Sequence, residues 1–309
     1  MKRKIQLFKS ALFALSVLTL GLGVNRPAEA ADTVTMTVTA AAKKGNPPAI
    51  KKDDIQLYQG RERVQVADWR RGDNLFLGIL IDDSLDTEAA SQWNDVRAFI
   101  NHQPANTYIA LGYARNGAVM MAQDFTQDHA LLDKALRIPI GGLGAFSSPY
   151  LAVQDWVKRW PSAARDNRSS IILISSGIDY FRGGFDPLDP DLQTTIEHAQ
   201  KANINLWTIY YPGAGHLGRG YFRVFNAQAN LSRMSEETGA ESYYLGNERP
   251  VNLSTYFDEI QEHLDNQYLV TFAGSGGKKG KFERVRVMTE VPNVQFLTPS
   301  EVFLPPSGD

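Results

Sequence analysis

Hydrophobic and polar positions change rhythm three times along the chain. From Thr33, TVTMTVTA alternates threonine with apolar residues, the period of a strand with one buried face. KKGNPP follows as a turn, and DIQLYQGRERVQVADW (54–69) reads as two short strands joined through Gly60. LFLGILID (75–82) is then continuously apolar, as a strand covered on both faces of a parallel sheet must be. Over 88–102 the apolar residues Ala89, Trp93, Val96, Phe99 and Ile100 fall at helical spacing. TYIALGYAR and AVMMAQDF flank Asn116-Gly117, a strong hairpin signal. Two helices are expected next, DHALLDKALRI behind the cap Asp128 and SSPYLAVQDWVKRW behind Ser and Pro. Strand SSIILISSG, helix DLQTTIEHAQKAN, strand INLWTIYY, helix NAQANLSRMSEETGA, strand ESYYL and helix LSTYFDEIQEHLDN continue the alternation. Such alternation predicts an open α/β sheet with helices on both faces. The tail strands QYLVTFAG, FERVRVMTEV and VQFLTPSEVFL are expected as antiparallel additions to an edge.

The first thirty residues are set apart. Lys2, Arg3 and Lys4 precede a fourteen-residue apolar run, ALFALSVLTLGLGV, and AEA at 28–30 offers a small-x-small cleavage pattern. The run is short for a membrane span of about 20 residues. It is expected to be an export signal, so the mature chain is expected in the periplasm or outside the cell, without membrane insertion. The remainder divides into an N-terminal β module (31–72), an α/β domain (73–268) and a C-terminal β extension (269–309).

Composition narrows the chemistry. The 309 residues include no cysteine, which excludes disulfides, thiolate metal sites and a cysteine nucleophile. The leader carries five of the 32 Lys and Arg and one of the 34 Asp and Glu. The rest therefore holds 27 against 33, net −6, without the basic surplus that nucleic-acid binding needs. Histidines at 102, 129, 198, 216 and 263 form no paired-ligand spacing, and no G-x-S-x-G elbow surrounds any serine. Asp186 and Asp189 read as turn formers rather than paired glycosidase acids.

The apolar strand ending in Asp82-x-Ser84, the antiparallel hairpin, the Gly-Gly turn of GGLGAFSSPY and the strand ending SSGID resemble the von Willebrand factor type A fold. More narrowly, AAKKGNPPAIKKDDIQLYQGRERVQ, EETGAESYYL and YFDEIQEHLDNQYLVTFAGSGGKKGKFERVRV resemble the exported bacterial proteins called VWFA-related. The resemblance runs from about Thr33 to Val302. It implies a Rossmann-like, mostly parallel central sheet flanked by helices, with small β additions at both termini. The function it implies is protein binding, adhesion or scaffolding rather than catalysis. It also implies a divalent cation at the carboxyl ends of the strands, held by Asp-x-Ser-x-Ser, a Thr from a second loop and an Asp after the fourth strand.

Residue by residue, that ligand set is incomplete. Asp82 and Ser84 match, and in an extended loop Asp82, Ser84 and Asp86 would face one point. Asp86 stands where the second Ser belongs, Leu143 where the Thr belongs and Ser176 where the Asp belongs. A degenerate metal site is therefore expected, with no cofactor. The alternative is a working Mg²⁺ or Ca²⁺ adhesion site on Asp82, Ser84 and Asp86. Another is an exported hydrolase using the acidic loop, though no nucleophile–base pair stands out. The expected partner is another exported or cell-surface protein. It would be met by Asp82, Ser84, Asp86, Ser147, Ser176, Asp179, Arg219 and Tyr221, with the aromatic loop 210–225 supplying anchors.

Overall fold

A computed structural model describes residues 33–306 apart from 44, 145, 165, 184–188 and 215–219. The expected export signal (1–30), Asp186, His216 and Arg219 lie outside the described residues. Four strands open the chain: β1 (Thr33–Ala42), β2 (Ile55–Gln59), β3 (Glu62–Val64) and β4 (Val66–Arg70). The α/β region follows with β5 (Leu75–Asp82), α1 (Trp93–His102), β6 (Thr107–Arg115), β7 (Ala118–Thr126), α2 (His129–Ala135) and α3 (Pro149–Lys158). It continues with β8 (Arg168–Ser175), α4 (Pro190–Ala202), β9 (Asn205–Tyr210), α5 (Tyr221–Glu237), β10 (Ser242–Tyr243) and α6 (Ser254–Asp265). The tail adds β11 (Gln267–Ala273), β12 (Lys281–Thr289), β13 (Val294–Leu297) and β14 (Glu301–Leu304).

The central sheet has the order β10-β9-β8-β5-β6-β7, parallel except for β7. β7 runs back because Asn116 and Gly117 adopt φ 51° and 70°, the left-handed pair that a two-residue hairpin turn requires. All eight residues of β5 are buried, and their alternation serves two cores. Leu75, Leu77, Ile79 and Ile81 pack with α1, α2 and α6, while Leu80 packs with α3, α4 and α5. Gly78 lies on the second face beneath Trp156, where an added Cβ would stand 2.8 Å from the indole. The sequence expectation of an α/β sheet covered on both faces is the architecture observed.

The terminal strands correct another expectation. They do not extend an edge of the central sheet but pair with one another across the length of the chain. β1 lies between β11 and β13, in the order β13-β1-β11-β4, and β12 lies between β14 and β2, in the order β14-β12-β2-β3. Met36, Val38, Val270 and Phe272 of the first sheet share one core with Leu57, Val287 and Leu304 of the second. The pair is therefore a β-sandwich built from both ends of the chain.

Helices α1 and α4 leave the central sheet in opposite directions, because β6 lies on one side of β5 and β8 on the other. The carboxyl ends of β5 and β8 thus flank a topological switch point, where open α/β sheets form their clefts. Asp82 and Ser175 are the residues that end those strands.

Gly78→Ala is expected to cost about 1–3 kcal/mol, because the new methyl must displace the buried indole of Trp156. Urea unfolding measures it; an unchanged midpoint would show that Trp156 shifts freely.

Candidate functional site

The three acids of IDDSLD part company as the chain leaves β5. Residues 82–85 form a tight turn, with the Leu85 N–H on the Asp82 carbonyl at 3.2 Å, so the extended loop expected from the sequence is not formed. Asp82 is buried, and its Oδ1 accepts from the Ser84 N–H at 2.9 Å and the Ser84 hydroxyl at 2.7 Å. Its Oδ2 accepts from the Ser175 hydroxyl at 2.7 Å, which ties the ends of β5 and β8 together. Burial pushes the Asp82 carboxyl up, against the opposing pull of these hydrogen bonds.

Asp83 takes a different partner. Its carboxylate receives both terminal nitrogens of Arg137, at 2.7 and 3.1 Å, and the Ile140 N–H at 3.0 Å. Arg115 stands 3.5 Å away. Burial opposes the charge on Asp83, but the Arg137 fork, the Ile140 amide and the two guanidinium charges together hold its carboxyl below the ordinary range. Arg137 also lies 3.8 Å over the Tyr113 ring, so the loop at 137–141 is fastened to the sheet end. Asp86 is a helix cap. It accepts the Glu88 N–H at 3.0 Å at the start of the short helical turn Thr87–Gln92.

The second and third loops meet in another cluster. Ser148 caps α3 by accepting the Leu151 N–H and donates its hydroxyl to Asp179 Oδ2 at 2.7 Å. Ser147 contributes its carbonyl to the Tyr180 and Phe181 amides. Ser176 is buried and its hydroxyl oxygen accepts from the Ile178 N–H at 3.4 Å. Asp179, also buried, accepts the Arg182 N–H at 2.9 Å. Asp189 caps α4 through the Asp191 and Leu192 amides, followed by Pro190 in the first turn. Oxygens of Asp179, Asp189 and Asp191 lie within 4.8 Å of one another, and Arg182 grips Asp191 at 2.9 and 3.2 Å. Burial, then the charge of Asp179, pushes the Asp189 carboxyl up to about 6.

The sequence-predicted residues thus fall into separate groups. Asp82 and Ser84 close on each other with Ser175; Asp86 serves a helix start; Asp179 joins Ser148 and Asp189. Tyr221 stands exposed at the start of α5. The contributions of Asp83, Arg137, Ser175 and Asp191 were not anticipated, nor was the pairing of Ser148 with Asp179. Only Ser148 and Asp189, each directly before a proline, carried a local signal, that of a helix cap.

The donor set does not fit the cation that the resemblance implies. Leu143 offers no oxygen, Ser176 supplies a neutral hydroxyl where a carboxylate is required, and both oxygens of Asp82 already accept protein hydrogen bonds. Among the described residues the acidic triad is the richer oxygen cluster, with one member engaged by Arg182.

No protein-family model matches the chain, and no curated protein matches it. Among solved structures it is similar to an aerotolerance-related membrane protein from Bacteroides fragilis, at 9% identity over 62% of this chain and 99% of that one, TM-score 0.45. It is similar to BatB from Bacteroides thetaiotaomicron at 13% identity, over 62% and 97%, TM-score 0.41. The zinc-occupied MIDAS-motif protein proximal thread matrix protein 1 of the mussel byssus gives 9% identity, over 66% and 48%, TM-score 0.44. With each of these scores below 0.5, the fold class rests on the chain's own strand order. A mostly parallel six-stranded sheet with an antiparallel hairpin edge and helices on both faces is a Rossmann-like α/β fold, in agreement with the von Willebrand factor A-like architecture expected from the sequence.

Asp189 makes stability depend on pH. Its folded pKa of about 6 lies above the ordinary value of 3.8, so the folded state binds the proton more tightly and stability falls as pH rises between the two. The penalty is fully present only above about pH 6, where the folded-state carboxyl is ionised. Asp189→Asn keeps a good cap and removes the charge. It is expected to raise stability at pH 7.5 and flatten the decline between pH 4 and pH 6.5, measured by urea unfolding across that range.

Proposed function

We propose that the chain is an exported, non-enzymatic protein-binding module that meets its partner with the loops at the carboxyl end of the central sheet, without a metal bridge. The carrying observation is the distribution of exposed apolar side chains. Among the described residues, ten of the fourteen large hydrophobics that face solvent sit on loops or helix starts at the end of the sheet where the parallel strands have their carboxyl ends. They include Ile138, Ile140, Phe146, Phe181, Tyr221 and Phe225. Phe146 and Phe181 pack edge to face with ring centroids 5.5 Å apart, and Arg182 lies over Phe181. Exposed aromatic and arginine side chains gathered in one region are the usual anchors of protein interfaces.

The acidic knot supports this rim rather than reacting. Asp82 closes the switch point, Asp83 holds the 137–141 loop, and the backbone of Ser84 and Asp86 joins Ala214 and Pro212, drawing the loop after β9 into the same surface. The geometry gives a hydrolase reading little support: the hydroxyls that pair with carboxylates, Ser84 and Ser175 on Asp82 and Ser148 on Asp179, are all buried, and Ser148 also caps α3. The basic start and apolar run of the first thirty residues support export.

Two outcomes are expected. Calorimetric titration with Mg²⁺, Ca²⁺ and Mn²⁺ should give no saturable heat, and Asp82→Ala should leave the traces unchanged; saturable binding lost in that variant would restore the metal-dependent adhesion reading. A photo-crosslinker at position 181 or 221 in the producing cells should trap one discrete protein. Trapping should persist in EDTA and be lost, by about ten-fold or more, in Phe146→Ser/Phe225→Ser, two anchor losses of a few kcal/mol. Dependence on a divalent ion would sink the metal-free reading.

A further inference from the structure

A second surface, away from the loop rim, has a different chemistry. Between the β-sandwich and helices α4 and α5 runs a groove of about 950 Å³, far larger than a single oxyanion needs. Four arginines line it, Arg61, Arg233, Arg284 and Arg286, against two acids, Glu237 and Glu301. Arg233 is held by Glu237 at 2.6 Å, and Arg284 reaches Glu301 at 3.7 Å. Arg286 has no carboxylate among the described residues; its guanidinium lies 5.1 Å from the centre of the Tyr58 ring. Arg61 has no ion-pair or hydrogen-bond partner among the described residues. Two cations therefore stand uncompensated in one groove, on a chain that carries an excess of acid once the leader is set aside.

Their placement is regular. Arg284 and Arg286 alternate along β12, so both project from the solvent-facing side of that strand, while Val285 and Val287 enter the sandwich core. Arg286 lies opposite Tyr58 in the pairing of β12 with β2. Gly60, at φ +58°, donates its N–H to the Arg284 carbonyl at 2.8 Å, and this turn sets Arg61 just beyond Arg284. Arg284 and Arg286 thus leave one face of β12 about 6.6–6.8 Å apart at their backbone positions, with Arg61 on the adjoining β2–β3 turn. An extended polypeptide repeats its own side chains at the same interval, so acids at alternate positions would meet the arginines in register. Arginine forks bind carboxylates bidentately, which suits them to a carboxylate-bearing chain.

We infer that this groove binds an extended acidic polypeptide segment, with Arg61 and Arg286 as its principal carboxylate contacts. The test is fluorescence anisotropy of a labelled peptide of alternating Glu and Ser, titrated with the full chain at low salt. Saturable binding is expected. It should weaken by about ten-fold or more in Arg61→Ala/Arg286→Ala, weaken with added salt, and persist in the rim variant Phe146→Ser/Phe225→Ser. Arg61→Gln alone, at an exposed turn, should weaken it by a smaller factor and serves if the double variant folds poorly. Binding by the wild-type chain no tighter than by both arginine variants would overturn the assignment. So would the absence of saturable binding, or a preference for a polyuronate over the peptide.

Discussion

Two neighbouring carboxylates at the buried end of one strand set the terms for the rest of this structure. An ionised carboxylate in a protein interior is tolerated only when its oxygens are satisfied by hydrogen bonds or a counter-charge. Asp82 and Asp83 meet that demand in opposite directions, because successive residues leave a strand on opposite sides. Asp82 is answered from β8 and from its own turn, Asp83 by Arg137 from the loop beyond α2. Between them they gather three connections around the switch point. The loops beyond the strands can then be long, glycine-rich and aromatic without losing their positions. A binding rim needs such a foundation, since side chains held on a fixed scaffold lose less entropy on association.

The second cluster obeys the same electrostatics with less success. Asp179 and Asp189 are both buried and close, and only part of their charge is answered: Ser148 and the Arg182 amide serve one, the first turn of α4 the other. The strain of that arrangement appears as a raised proton affinity on Asp189. Tension of this kind in the wall of an otherwise well-paired cleft marks a place where the α4 entrance and the β8 loop are coupled.

Much of the α/β region was legible because its signals are local. Continuous apolar runs gave buried strands, Asn116-Gly117 gave the hairpin, and helical spacing gave the helices. What escaped was every feature that depends on distant partners. Asp83 and Arg137 are 54 positions apart in sequence, and nothing around either residue advertises the other. The turn at 82–85 was misread as extended because alternating oxygens suit a cation; the serine hydroxyl found the nearer carboxylate instead. The terminal strands were recognised as strands, yet their partners were not, since alternation specifies a buried face and is silent about what covers it. Leu143 and Ser176 remain the most informative single residues for the candidate site. Leu143 has no oxygen, and Ser176 a neutral hydroxyl, where the resemblance implies a threonine and a carboxylate.

The sandwich joins the two ends of the chain residue by residue, with Thr33 opposite Ala273 and Thr39 opposite Gln267. A polypeptide emerging amino end first therefore carries β1 as an unpaired, half-apolar ribbon until more than two hundred further residues have appeared. Closing so long a loop costs entropy that local contacts cannot repay, and topologies rich in distant pairings fold slowly. The central sheet can assemble meanwhile, but the native state is completed only when the last strands arrive. The order of synthesis and the order of folding are thus opposed at the first strand, the first to be made and among the last to be paired.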